Sequence, residues 1–163
     1  VWNAGAEAVV KALPSTRHAA TLARGADAAA GTCEFSRDFD LVATFAPARV
    51  LAVSNLGAPL LRYSGHSVLA GPYHRNVAGN LAALDAFMGS ENEARAIVAQ
   101  QDIGYVAHCP GNPESTALAK WAPEGFMAAL MHAAPPGWLE LVPESAAGPL
   151  KLYRVVPAPG PAG

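Results

Sequence analysis

The sequence predicts an α/β fold, a three-layer sandwich whose mainly parallel sheet ends in a C-terminal antiparallel hairpin. Three observations predict it. Short apolar runs at residues 49–54, 67–70 and 103–108 stop at turn residues and alternate with helical patterns. That order builds a parallel sheet with helices on both faces. Two alternating segments, 138–142 and 150–156, flank a loop that runs from Pro143 to Pro149 and contains Gly148, which is a hairpin signal. The length, 163 residues with 52% hydrophobic, suits one domain with a sizeable core.

The elements follow in chain order. Residues 1–32 are alanine-rich, with Ala6, Val9, Val10 and Leu13 at helical spacing until Pro14 interrupts them, and with Gly25 breaking a second run. They read as a helical lead-in or linker to a single α/β domain spanning 33–156. A helix over 38–45 is capped by Ser36 or Asp38 and ended by Pro47. The first strand leads into the turn Asn55-Leu56-Gly57 and a short helix over 58–63, with Pro59 in its first turn. After the second strand comes the loop 71–76. A helix over 77–88 then places Leu81, Leu84 and Met88 on one face. Ser90 and Glu93 form a capping box for a helix that reaches Gln101 and buries Ala94, Ile97 and Val98. Beyond the third strand, Asn112 at N-cap, Pro113 at N1 and Glu114 in the first turn open a helix to Trp121. A last helix over 123–133 presents Phe126, Met127, Leu130 and Met131. Residues 157–163 are Pro, Ala and Gly only, which predicts a disordered tail.

Composition narrows the partners. Only 15% of residues are charged, the net charge is −2, and the 11 Lys and Arg are scattered. Phosphate contacts need clustered cations, so a nucleic-acid partner is disfavoured. No stretch of about 20 apolar residues exists to span a bilayer. The chain begins at Val1 and reads as a processed product or an excised segment. Its two cysteines, Cys33 and Cys109, are either bridged or two packed free thiols, and spacing does not choose between these.

Motifs for chemistry are sparse. No Gly-x-Gly-x-x-Gly follows the first strand, and there is no Walker loop, so no nucleotide cofactor is expected. His66, His74, His108 and Cys109 flank strands, but no pair has metal-ligand spacing and no metal site is expected. Cys109 with His74 or His108 would make a thiolate and base at the sheet rim, the site of a small free-standing enzyme. His108 and Cys109 are adjacent in an extended run, so their side chains point to opposite faces. Glu91, Glu93 and Glu114 are explained as helix-start acids.

The richest segment is Tyr73-His74-Arg75-Asn76, delivered by a strand that stops at Gly71-Pro72, where open α/β folds put their sites. As a ligand site, Arg75 would grip a phosphate or carboxylate, His74 and Asn76 would donate hydrogen bonds, and Tyr73 would offer a stacking face. As structure alone, Asn76 caps the next helix, Arg75 pairs with an acid and Tyr73 packs. Asn55, in the turn after the first strand, is the remaining ligand-binding candidate.

Residues 49–52, the Asn55-Leu56-Gly57 turn, the run from His66 to Asn76 and the segment Tyr105-Val106-Ala107-His108-Cys109-Pro110-Gly111 resemble the soluble C-terminal region of certain bacterial multi-pass membrane proteins. Those proteins are themselves similar to glycosyltransferases of the GT-C type, which use lipid-linked sugars. The resemblance covers about residues 33–156, and its most specific piece is the eleven-residue run. It implies a domain on the periplasmic face of the bacterial inner membrane, where an oxidising environment favours a Cys33–Cys109 bridge. The catalytic carboxylate of GT-C enzymes lies in a loop between membrane helices, so this segment would be non-catalytic by itself. Its partners would be the membrane-embedded part of the same polypeptide and a lipid-linked sugar or its acceptor. The Trp-Trp-Asp type motif of the oligosaccharyltransferase branch is absent from this sequence, which leaves acceptor-peptide recognition without support.

Overall fold

In residues 31–157, which the structure, a computed structural model, describes, five short strands gather into one sheet. They are β1 (Arg49–Leu51), β2 (Ser67–Val68), β3 (Ile103–His108), β4 (Leu139–Leu141) and β5 (Lys151–Val155), in the order β2-β1-β3-β5-β4. The expected lead-in, apart from its last two residues, and the tail beyond Pro157 lie outside the described residues. β1 runs parallel to β2 and β3, and the β4–β5 hairpin joins antiparallel through β5. The α/β class and the C-terminal hairpin are therefore as the alternation of patterns predicts. β5 takes the inner place and β4 the edge. Leu152 and Tyr153 are both buried, opposite Ala107 and Val106, whereas Glu140 of β4 is exposed. A strand buried on both faces belongs inside a sheet.

Among the described residues six helices surround it: α1 (Asp40–Ala43), preceded by a 3-10 turn over Ser36–Phe39, then α2 (Ser54–Tyr63), α3 (Val77–Met88), α4 (Glu91–Gln100), α5 (Pro113–Trp121) and α6 (Phe126–Met131). α3 and α5 match their expected spans, and α4 matches to within a residue. At α4, Ser90 Oγ accepts from the Glu93 N–H at 3.3 Å and Glu93 accepts from the Ser90 N–H at 2.7 Å. The Ser90 backbone bond holds the Glu93 carboxyl below its ordinary range. At α5, Asn112 Oδ1 accepts from the N–H groups of Glu114 and Ser115 at 2.9 and 3.2 Å.

Three expectations are corrected. α2 starts at Ser54, so Asn55, Leu56 and Gly57 form its first turn and not a separate loop. The first helix is capped by neither Ser36 nor Asp38; Phe35 holds the N-cap position without a side-chain cap bond, and Asp38 instead accepts from the Phe35 N–H at 2.9 Å. On α3, Leu81, Leu84 and Met88 do share a face, but that face is exposed, and the buried face is Ala83, Ala86 and Phe87.

The sheet separates two layers of helix. The crossover from β1 to β2 and the one from β2 back past β1 to β3 move across the sheet in opposite directions, so right-handed connections put α2 on one face and α3 with α4 on the other. The side-chain contacts agree. Tyr105 meets Phe45 and His66, and Phe39 stacks on Tyr63 of α2. Opposite them, Phe126 of α6 stacks between Phe87 of α3 and Trp138. Buried His66 ties the first layer to the sheet. Its Nδ1 accepts from the Ala48 N–H at 3.0 Å, and its Nε2 meets the Val42 carbonyl at 2.8 Å, which assigns the proton to Nε2.

Candidate functional site at the carboxyl edge of the sheet

Because the connections after β1 and β3 lead to opposite faces, a crevice opens beyond the carboxyl ends of these two strands, the usual ligand position in an open α/β sheet. The N-terminus of α2 points into it. α2 has no cap of its own, since Val53 occupies the N-cap position. Glu114 supplies the missing acceptor from α5. Its carboxylate takes the Ser54 N–H at 3.1 Å, the Asn55 N–H at 2.9 Å and the Ser54 hydroxyl at 2.9 Å. The spot where such folds hold a bound anion is filled here by the chain's own carboxylate. In the sequence Glu114 is explained by its own helix start alone. The signal for its second role was a helix beginning Ser54-Asn55 with an apolar residue before it.

Asn55 is built into the same network. Besides its N–H on Glu114, its side-chain amide exchanges hydrogen bonds with buried Asn112, at 2.8 and 3.3 Å. Beside this network lies a cavity of about 210 Å³ lined by Val53, Ala70, Ala83, Leu84, Phe87 and Leu118 together with the polar Ser54, Asn80 and Glu114. None of these residues is a ligand-binding candidate in the sequence, because α2, α3 and α5 converge only in the folded chain.

The Tyr73–Asn76 loop stands next to the cavity and lines none of it. Asn76 is turned inward: its Nδ2 donates to the Leu69 carbonyl at 2.9 Å and approaches Asn80 Oδ1 at 3.3 Å. It precedes α3 at the N-cap position but makes no side-chain cap bond. Asn80 Oδ1 also accepts from the Gly71 N–H at 3.0 Å, so α3 grips both ends of the loop. The Tyr73 ring lies over Gly71, where a Cβ would meet it at 2.7 Å. Tyr73 nonetheless keeps 47% of its surface exposed, and His74 and Arg75 are exposed beside it. The loop thus presents an aromatic face, an imidazole and a guanidinium on a backbone held by two asparagines.

The cysteines are joined. Cys33 and Cys109 form a disulfide with their Cα atoms 6.2 Å apart, and both are buried. A thiolate at Cys109 is therefore excluded, and with it the expectation of a Cys/His enzyme site. His108 is 1% exposed, neither ring nitrogen has a partner among the described residues, and burial, with a smaller contribution from the Lys151 charge, pushes its pKa down to about 4. Among the described residues no three His, Cys, Asp or Glu side chains gather to hold a metal ion, and no helix is long and apolar enough to cross a membrane.

No protein-family model matches the chain. No curated protein matches it either. Among solved structures it is similar to the C-terminal globular domain of an oligosaccharyltransferase from Archaeoglobus fulgidus, with a TM-score of 0.53 and 16% sequence identity over 66% of this chain and 80% of that one. The likeness is one of fold.

Proposed function

We propose that this chain contributes a non-catalytic soluble domain to a membrane glycosyltransferase-like protein on the periplasmic face of a bacterial inner membrane. The observation that carries the proposal is the shared fold with an oligosaccharyltransferase C-terminal globular domain. The Cys33–Cys109 bridge supports an oxidising compartment. The membrane-embedded part of the same polypeptide is the partner on which the domain packs. The ligand is a lipid-linked sugar or its acceptor, met by the Tyr73–Asn76 loop. There Arg75 pairs with a phosphate oxygen, His74 hydrogen-bonds a hydroxyl, and the Tyr73 ring lies against the apolar face of a sugar ring. Asn76 and Asn80 keep the loop backbone in place, so little ordering entropy is lost on binding.

Two measurements test this. Thiol trapping in the producing cell should find both cysteines oxidised; free thiols there would overturn the compartment. Titration of the 163-residue chain with a short-chain polyprenyl-phosphate sugar, followed by backbone NMR, should move Tyr73, His74 and Arg75 saturably, and Arg75→Ala should weaken binding at least tenfold. Shifts confined to other surfaces, or none, would remove the loop from the ligand site.

A further inference from the structure

α3 has the composition of a buried helix, yet only one of its faces is buried. Its twelve residues include one charge, Asp85. The outward face carries Val77, Leu81, Leu84 and Met88, exposed by 60, 54, 37 and 40%. Their spacing is four, three, four, the seam of a helix that packs lengthwise against another helix. A helix apolar all round is one that is covered on all sides.

The seam opens into a groove of about 670 Å³ between α3 and α4, floored by Leu84, Met88, Ala96 and Ile97. The charged residues lining the groove are Asp85 and Glu93, both acidic. Charge decides between the candidate occupants. An anionic bilayer surface is repelled by a carboxylate rim. A second copy of this face would set the same carboxylates against each other. An amphipathic helix with an apolar seam and basic flanks satisfies both the stripe and the rim.

We infer that the α3–α4 groove is a docking site for a basic amphipathic helix of another protein. The site goes beyond the ligand reading of the Tyr73–Asn76 loop and uses a different face. The contact is held by Leu81, Leu84 and Met88 inserting between the partner's apolar side chains, and Asp85 and Glu93 set its orientation through lysine or arginine at the partner's flanks.

The test uses the whole 163-residue chain and two fluorescent 21-residue helical peptides, alike in a leucine seam and differing only in lysine or glutamate flanks. The lysine peptide should bind at least tenfold more tightly than the glutamate peptide. The preference should shrink in high salt and on Asp85→Lys. Leu81→Asp should abolish binding; this side chain is exposed, and an unchanged melting temperature confirms that the variant folds. Equal binding of the two peptides, or none at millimolar concentration, would overturn the inference. So would flotation of the chain with anionic vesicles that Leu81→Asp abolishes, or a dimer in sedimentation that the same substitution dissociates. Loss of the sugar-phosphate response with the peptide response intact would fault the ligand reading alone.

Discussion

Glu114 sits where an incoming anion would otherwise meet the first N–H groups of α2, and 60 residues separate it from the serine it contacts. Its removal leaves those donors without their acceptor, the Ser54 N–H at a half-buried position and the Asn55 N–H at an exposed one. Glu114→Ala should lower stability by about 2 kcal/mol, read from urea unfolding, and Glu114→Gln should recover part of the loss by keeping one acceptor. Stability unchanged in both variants would mean that water satisfies α2 equally well. His108 makes the other residue-level prediction. Its pKa is about 4 in the folded chain against an ordinary 6.5. Below pH 6.5 the unfolded chain takes up a proton that the folded chain refuses until about pH 4. The stability present above pH 6.5 is therefore lost as pH falls through that window. Between pH 7 and pH 4.5 this amounts to about 2 kcal/mol. His108→Leu should remove that part of the acid sensitivity, seen as a smaller shift of the urea midpoint between the two pH values; equal shifts in both chains would discard the assignment.

At the level of elements, two helices close on one stretch of backbone. A Cβ at Gly57 of α2 would lie 2.7 Å from the Gly71 Cα, and one at Gly79 of α3 would press on the Leu69 carbonyl and the Asn76 side chain. The segment from Leu69 to Gly71 is pinned between them, and this is what aims the Tyr73–Asn76 loop. Gly57→Ala should cost about 3 kcal/mol, because the obstructing atoms are backbone and cannot swing aside. Its amide spectrum should change at Ala70 and Gly71 first. The α4 capping box is a purely local device by contrast, so Ser90→Ala should cost about 1 kcal/mol and leave the rest of the spectrum in place. A cost at Ser90 as large as that at Gly57 would mean that the α4 start carries tertiary contacts as well.

For the whole molecule, the Cys33–Cys109 bridge ties the chain before the first helical turn to the carboxyl end of β3 across a sequence separation of 76. Closing a loop of that length in the unfolded chain is worth about 4 kcal/mol. A reductant should shift the urea midpoint down accordingly, and Cys33→Ser with Cys109→Ser should reproduce the shift without reductant. No shift would place the reduced chain's stability entirely in the core.

What the sequence determined by itself was whatever depends on near neighbours. Helix period, the Ser90–Glu93 box, the Asn112 cap and the strand–turn punctuation are set within a few residues, so α3, α4, α5 and β3 were legible almost to their ends. The hairpin and the α/β class followed from the same local signals. The start of α2 was not legible, because its cap comes from Glu114 and its close approach to Ala70 and Gly71 from a contact made only after folding. Nor was the outward direction of Leu81, Leu84 and Met88. A hydrophobic period says which side chains share a face, but α3 is apolar on both sides, and only packing against the sheet selects Ala83, Ala86 and Phe87. The pairing of Cys33 with Cys109 and the crevice lined by Ser54, Asn80 and Glu114 were likewise decided by tertiary structure. They join residues whose separation along the chain leaves no periodic trace, and their free energy appears only once the intervening strands have been brought side by side.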